Sequence, residues 1–96
     1  LSNYRKFKSS EQSRLLHQIE KLNSELKILK ERTIKFAENS RKITSKSYSL
    51  GDSSYIELLQ SELKLQSLLL KRSKLSAALL KTKAKYKYLI GEKLYE

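Results

Sequence analysis

The side chains that could carry out catalysis are few in this chain and lie far apart in the sequence. His17 is the single histidine and cysteine is absent, so neither a nucleophile–base pair nor a thiolate metal site has its usual members. The carboxylates are scattered without a paired cluster, and no glycine-rich phosphate loop occurs. We therefore expect a protein that is not an enzyme, with no catalytic residue, cofactor or metal ion.

The chain is strongly basic, with 21 Lys and Arg residues against 10 Asp and Glu and a formal net charge of +11. Such a charge attracts nucleic acid, anionic lipid or an acidic protein. It also suits a long solvated helix face, because Lys and Arg are good helix formers, and we favour that interpretation. No apolar run approaches the roughly 20 residues of a membrane-spanning helix, so this segment is not expected to cross a membrane.

The elements that position these residues are two long helices, separated at one place. Proline is absent, and Gly51 lies in the middle of the chain, where it can adopt the positive φ that ends a helix. Ser54 and Glu57 then form an S-x-x-E capping box, in which each side chain caps a backbone amide of the other residue. The pattern predicts an all-α chain with a helix over about 3–49, a tip over 50–53, a helix over about 54–90 and a tail over 91–96.

The second helix is expected to end at Gly91, which follows Leu89 and Ile90 at the place of a C-cap glycine. A hairpin of two helices has a single internal seam and buries little apolar surface, so it usually needs partners to be stable. The first residue is also not a methionine. We therefore expect this chain to be a segment of a larger protein.

Mostly apolar residues recur every three or four positions in each helix, as in a coiled coil. The row in the first helix consists of Leu15, Ile19, Leu22, Leu26, Leu29, Thr33, Phe36, Ser40 and Ile43. The row in the second consists of Ile56, Leu59, Leu63, Gln66, Leu70, Ser73, Ala77, Leu80, Ala84 and Tyr88. A fold at Gly51 would make the rows face each other, with most large side chains opposite small or polar ones. The sequence therefore predicts a long antiparallel two-helix coiled-coil hairpin.

A further apolar row lies beside this one on the second helix and consists of Leu58, Leu65, Leu69, Leu79, Tyr86 and Ile90. Burying a leucine is worth about 1.5–3 kcal/mol, so such a row is not expected to stay exposed. It either widens the single stripe or packs laterally against another helix pair. We prefer lateral packing, and with it a hairpin that self-associates.

Aromatic residues would gather at the end of the hairpin opposite the tip. They are Tyr4, Phe7, Tyr86, Tyr88 and Tyr95. They either pack against another domain or stack on nucleic-acid bases, and we favour packing.

The residues around the tip resemble a known family. The pattern Tyr48-x-x-Gly51-x-x-Ser54-x-Ile56-Glu57-x-Leu59, then an amphipathic helix and Leu89-Ile90-Gly91, is similar to the C-terminal helical hairpin of TolC-like outer-membrane efflux proteins. The resemblance covers about Leu15 to Gly91, and its tip motif is more specific than its helices. Gln60 and Ser61 depart from the family, which commonly has an acidic or amide residue followed by alanine at these positions.

The resemblance implies a structural and interaction role. Members of this family are trimeric ducts, in which a β-barrel in the outer membrane of a Gram-negative bacterium continues as an α-helical tunnel across the periplasm. The tunnel tip meets a periplasmic adaptor (membrane fusion) protein, which links it to an inner-membrane pump. By position, the arms here would form part of the tunnel wall, and the adaptor-docking tip would be Leu50, Gly51, Asp52, Ser53 and Ser54.

Two other interpretations stay open from the sequence. The chain could be a basic coiled-coil arm that binds RNA or another acidic partner, and such binding would weaken steeply with salt. It could also be the hairpin of a periplasmic adaptor, although the arginine–leucine–serine tip pattern of that family is absent.

Overall fold

The computed structural model describes the backbone of residues 2–94 and the side chains of residues 5–91. The predicted all-α helical hairpin is confirmed, and no strand occurs among residues 2–94. The first arm consists of α1, a π-helical turn and α2, and the second arm is the single helix α3. Their bounds are Ser2–Ile28 for α1, Leu29–Thr33 for the π turn, Ile34–Ser49 for α2 and Tyr55–Leu94 for α3.

The chain divides into two compact units, each of which combines a segment of the first arm with a segment of α3. The tip unit comprises Leu26–Lys74 and includes the turn between the arms. The terminal unit comprises Leu1–Glu25 and Leu75–Glu96. We describe each unit separately.

In the tip unit, the first arm ends in a Schellman motif. Gly51 has φ +81°, the left-handed conformation that a glycine adopts at little cost. Its N–H donates to the Tyr48 carbonyl at 3.0 Å, and the Asp52 N–H donates to the Ser47 carbonyl at 2.8 Å. These two bonds satisfy carbonyls that the end of a helix would otherwise leave without partners. The role predicted for Gly51 is therefore borne out by its backbone geometry.

Ser54 caps the start of α3. Its Oγ accepts a hydrogen bond from the Glu57 N–H at 3.1 Å, which is one half of the predicted capping box. The reciprocal bond, from the Ser54 N–H to the Glu57 carboxylate, is not among the hydrogen bonds of the described residues. A hydroxyl pair also ties the turn to the end of α2, because Ser53 Oγ donates to Ser47 Oγ at 2.7 Å.

The core of the tip unit is a row of side chains along each arm. On the first arm, Leu26 and Leu29 are buried before the π turn, and Ile34 and Ala37 are buried after it. On α3, the row that faces inward consists of Leu58, Ser61, Leu65, Leu68 and Arg72, all of which are buried or half-buried. Burial of each large aliphatic member is worth about 1.5–3 kcal/mol, so these rows supply most of the stability of the tip unit.

Polar members of these rows satisfy their hydroxyl groups within their own helix. Thr44 Oγ1 donates to the Ser40 carbonyl at 2.9 Å, and Ser61 Oγ donates to the Leu58 carbonyl at 2.7 Å. Small hydroxyl residues can therefore occupy seam positions without leaving a buried donor unpaired.

The predicted row of the first arm is wrong beyond Leu29. The π turn contains one residue more than an α-helical turn, and a π-helical bond joins residues i and i+5. The inward position after Leu29 is therefore Ile34 rather than Thr33, and the whole row shifts by one residue. Phe36 and Ile43, both predicted to be buried, are 74% and 70% exposed instead.

The predicted row of α3 is also wrong, because the two apolar rows of this helix exchange their roles. Most of the row predicted for the seam is exposed, including Leu63, Leu70 and Leu80. In the terminal unit the physical reason is clear. The inward row there contains Leu75, Leu79 and Leu89, whereas the predicted row has alanine at two of its positions, and burying leucines stabilises the fold more.

The core of the terminal unit is small. Leu15 and Leu79 are buried, and Thr82 is buried with its Oγ1 donating to the Ala78 carbonyl at 2.8 Å. Lys8 is also buried, which the long aliphatic stem of lysine permits. The sequence-based row is right for the first arm of this unit, since Leu15, Ile19 and Leu22 are buried or half-buried.

The predicted end of the second helix is wrong as well. α3 continues through Gly91 to Leu94, and Gly91 does not have a positive φ. A glycine inside a helix lowers its stability but does not end it. The rest of the predicted tail, Tyr95 and Glu96, lies outside the described residues, as do Leu1 and the side chain of Tyr4.

A deletion in the π turn tests this account of the first arm. Removing Arg32 shortens the step from Leu29 to Ile34 to the four residues of an α-helical seam. We expect the free energy of unfolding to change by less than about 1 kcal/mol, as for other exposed positions. Chemical denaturation followed by circular dichroism measures it.

Deletion of Glu38 is the matched control for the π turn, because this residue is also exposed but lies in regular α-helix. This deletion shortens the step from Ala37 to Arg41 by one residue, so the inward row beyond Ala37 is rotated away from α3. The expected loss is at least about 3 kcal/mol, comparable to the loss of a large buried side chain. Equal effects of the two deletions would contradict the register shift.

Two leucines on α3 test which of its rows is buried. Leu65 is 8% exposed and Leu63 is 60% exposed. Leu65→Ala should therefore lower the free energy of unfolding by about 2–5 kcal/mol, and Leu63→Ala by less than about 1 kcal/mol. The same denaturation experiment measures both losses. A larger loss for Leu63→Ala than for Leu65→Ala would support the buried row predicted from the sequence.

Candidate docking surfaces

The tip residues predicted from the sequence lie together at the turn between α2 and α3. Leu50 is 68% exposed, and Gly51, Asp52 and Ser54 are exposed as well, whereas Ser53 is half-buried. Leu50 is the C-cap residue of α2, and its N–H donates to the Lys46 carbonyl at 3.1 Å. The turn thus presents one large apolar side chain to solvent, and the N–H groups of Leu50, Gly51 and Asp52 are bonded to carbonyls of α2.

Aromatic residues extend the apolar surface around this turn. Tyr48 and Tyr55 stand at the two helix ends, with their ring centroids 6.1 Å apart and the ring planes inclined by 59°. This tilted arrangement is one that aromatic pairs prefer. Both rings and the side chain of Ile56 are exposed. A cluster of exposed apolar side chains on an ordered turn is typical of a surface that binds another protein.

The row predicted for lateral packing is mostly turned inward. In the tip unit, Leu65 is buried and Leu58 and Leu69 are half-buried. In the terminal unit, Leu79 is buried, and Tyr86 and Ile90 are half-buried. These residues therefore contribute to the packing inside the hairpin, and a lateral partner for them stays a prediction.

In the tip unit, a continuous row of exposed residues lies on the other side of α3. We call it the outer row, and its large members are Ile56, Leu59, Leu63 and Leu70. A shallow groove between the arms is lined by Thr33, Phe36, Ala37, Ser40, Ser61, Lys64 and Leu68.

The terminal unit has its own groove, lined by Glu11, Leu15, Ala84, Lys85, Tyr88 and Leu89. Glu11 accepts a hydrogen bond from Arg14 Nε at 2.9 Å and is also bonded to Nη2 of the same guanidinium. This hydrogen bonding lowers the pKa of Glu11 and raises the pKa of Arg14. Both groups therefore stay charged at neutral pH, as in an ion pair rather than a proton-transferring site.

The other residues considered for chemistry occupy ordinary surface positions. His17 is exposed, and no cluster of three or more His, Asp or Glu residues that could hold a metal ion occurs among the described residues. Within the same part of the chain, every helix is too short or too polar to cross a membrane. Of the predicted aromatic cluster, Phe7 and Tyr88 are exposed and Tyr86 is half-buried.

No protein-family model, curated protein or solved structure matches this chain. The case for the candidate docking surfaces therefore rests on their geometry alone. Sequence reasoning missed the exposed side chains of Phe36 and Ile43. The signal that could have found them is a second three-and-four spacing in the same helix, through Ile34, Ala37, Arg41 and Thr44.

Substitutions at Gly51 test the construction of the turn. A β-carbon at this position would meet no atom within 4 Å, so the cost of a side chain comes from the positive φ alone. Gly51→Val should lower the free energy of unfolding by about 1–3 kcal/mol. Gly51→Asn should cost less, because asparagine tolerates this conformation. Thermal denaturation measures both, and equal losses would point to packing rather than backbone conformation.

Proposed function

We propose that this chain is a structural and interaction segment of a TolC-like outer-membrane efflux duct. Its arms form part of the periplasmic α-helical tunnel, and the turn at Leu50, Gly51, Asp52, Ser53 and Ser54 docks on a periplasmic adaptor protein. The observation that carries the proposal is the exposure of Leu50 on a turn in which the N–H groups of Leu50, Gly51 and Asp52 are bonded to carbonyls of α2. An apolar side chain held in this way binds a partner with little further loss of entropy.

The exposed helix faces support the same function. Each unit retains large apolar side chains that are not covered within the hairpin, such as Leu63 in the tip unit and Leu80 in the terminal unit. A tunnel wall would bury such faces, because each of its helices packs against neighbours on two sides. In this proposal the intact parent protein forms a trimer in the outer membrane of a Gram-negative bacterium. The adaptor connects this trimer to an inner-membrane pump.

Photo-cross-linking from the turn tests the docking role. A benzophenone amino acid replaces Leu50, or Lys42 as the control, in the full-length parent produced in its own cells. Lys42 lies in the same helical arm and is exposed as well. We expect an adduct with a periplasmic adaptor from position 50 and none from position 42. An adduct with RNA from position 50 would instead favour the basic-arm interpretation.

A charge at the apex should separate folding from transport. Leu50→Glu should change the free energy of unfolding by less than about 0.5 kcal/mol, because the residue is exposed. A carboxylate in an apolar docking site is costly to desolvate, so efflux by the parent should fall to the level of a strain without the duct. The matched Leu50→Met variant should retain efflux, and unchanged efflux in Leu50→Glu would refute the docking role.

A further inference from the structure

In the tip unit, the outer row of α3 has the spacing of a complete coiled-coil seam. Its positions are Ile56, Leu59, Leu63, Gln66, Leu70 and Ser73, with alternating steps of three and four residues and no charged member. All of them are exposed in the hairpin. A row that keeps this spacing stays on one side of a helix that supercoils with another helix. The spacing therefore favours a helical partner over a flat surface.

Basic residues lie along one side of the outer row. Lys64 and Lys71 directly follow Leu63 and Leu70, and Lys74 lies one turn beyond Leu70. Because neighbouring residues on a helix are about 100° apart, all three lysines project on the same flank of the row. All three are exposed, and no acidic residue occurs in this unit after Glu62.

We propose that the outer row of the tip unit binds an amphipathic α-helix whose own apolar row is flanked by glutamate or aspartate. Charges that flank a coiled-coil seam determine which helices pair. A second copy of this chain is a poorer partner. In an antiparallel pair the lysine flanks of both copies would meet, and Glu57, which follows Ile56 as Lys64 follows Leu63, is the single carboxylate on that flank. In a parallel pair the lysine flank would meet the opposite flank, where Glu62 is the single carboxylate. Either way a second copy offers one carboxylate to three lysines.

The groove between the arms supports the same position for the partner. Lys64 lines this groove together with Ser61 on α3 and with Phe36 and Ser40 on the first arm. A helix on the lysine flank of the outer row would therefore lie beside the groove. It could cover Phe36, the most exposed large apolar side chain of the tip unit.

This inference does not rest on the efflux duct. If the duct proposal is right, the partner helix belongs to another part of the parent protein rather than to the same segment of a neighbouring subunit. If it is wrong, the hairpin still has a seam and a charge pattern that select an acidic helix. Cross-linking at Leu50 and binding at the outer row can therefore fail independently.

The test uses the full chain and two synthetic amphipathic peptides, with leucine at the seam positions and either glutamate or lysine at every flanking position. Fluorescence anisotropy measures the affinity of each peptide. We expect the glutamate peptide to bind about tenfold more tightly, since several exposed ion pairs of modest strength add up to such a difference. Raising the salt concentration should reduce the difference.

Two charge-reversal variants distinguish the effect of the three flanking lysines on peptide binding from the effect of the net charge of the chain. Replacement of Lys64, Lys71 and Lys74 by glutamate should reverse the preference between the peptides. The control reverses Lys35, Lys42 and Lys46, three lysines of α2 that are exposed as well. This control has the same net charge and should keep the preference. Equal effects of the two variants would overturn the proposal, because the attraction would then be non-specific.

The apolar part of the proposal has its own variant, the double substitution Leu63→Ser and Leu70→Ser. Both side chains are more than half exposed, so the helicity should be unchanged by circular dichroism while peptide binding is lost. Retained binding would overturn the proposal. Sedimentation equilibrium tests self-association: a dimer abolished by the same substitutions would overturn the proposal and identify a second copy as the partner. Tighter binding to phosphatidylglycerol vesicles than to the glutamate peptide would identify a membrane surface.

Discussion

In a hairpin of two helices, only one face of each arm is buried against the other arm. The choice of the buried row on each arm therefore determines which side chains are exposed. On the first arm the large inward residues do not keep a constant spacing, because five positions separate Leu29 from Ile34. The chain accommodates the extra residue in a π-helical turn, which moves the row by one position without breaking the helix. Ile34 and Ala37 are thereby buried, and Phe36 and Ile43 face solvent.

The turn could be predicted from the sequence because its determinants are local. Among the described residues, Gly51 alone adopts a positive φ. Ser54 caps α3 through a hydrogen bond with the N–H of Glu57, three residues further along the chain. Neither feature depends on which face of a helix is buried. The sequence therefore predicts the hairpin and the place of its turn correctly.

The rows could not be assigned in the same way. α3 contains two rows with the spacing of a coiled-coil seam, and each has several leucines, so periodicity alone does not distinguish the inward one. The choice depends on packing across the seam, where a π turn on the opposite arm also changes the register. Leu63 and Leu65 illustrate the problem, since they lie two residues apart and on opposite sides of the helix. Each belongs to a row with the spacing of a seam, yet Leu63 is exposed and Leu65 is buried.

The exchange of the two rows changes what a partner would meet. Had the row through Leu63 and Leu70 formed the internal seam, the exposed face of α3 would have been that of Leu65 and Leu79. Instead the exposed row is the one with Lys64, Lys71 and Lys74 beside it, so apolar surface and positive charge lie on the same face. Apolar burial provides affinity, and the lysines provide selectivity against a copy of the same helix. The turn and the outer row are thus two separate surfaces, one suited to an apolar docking site and the other to an acidic helix.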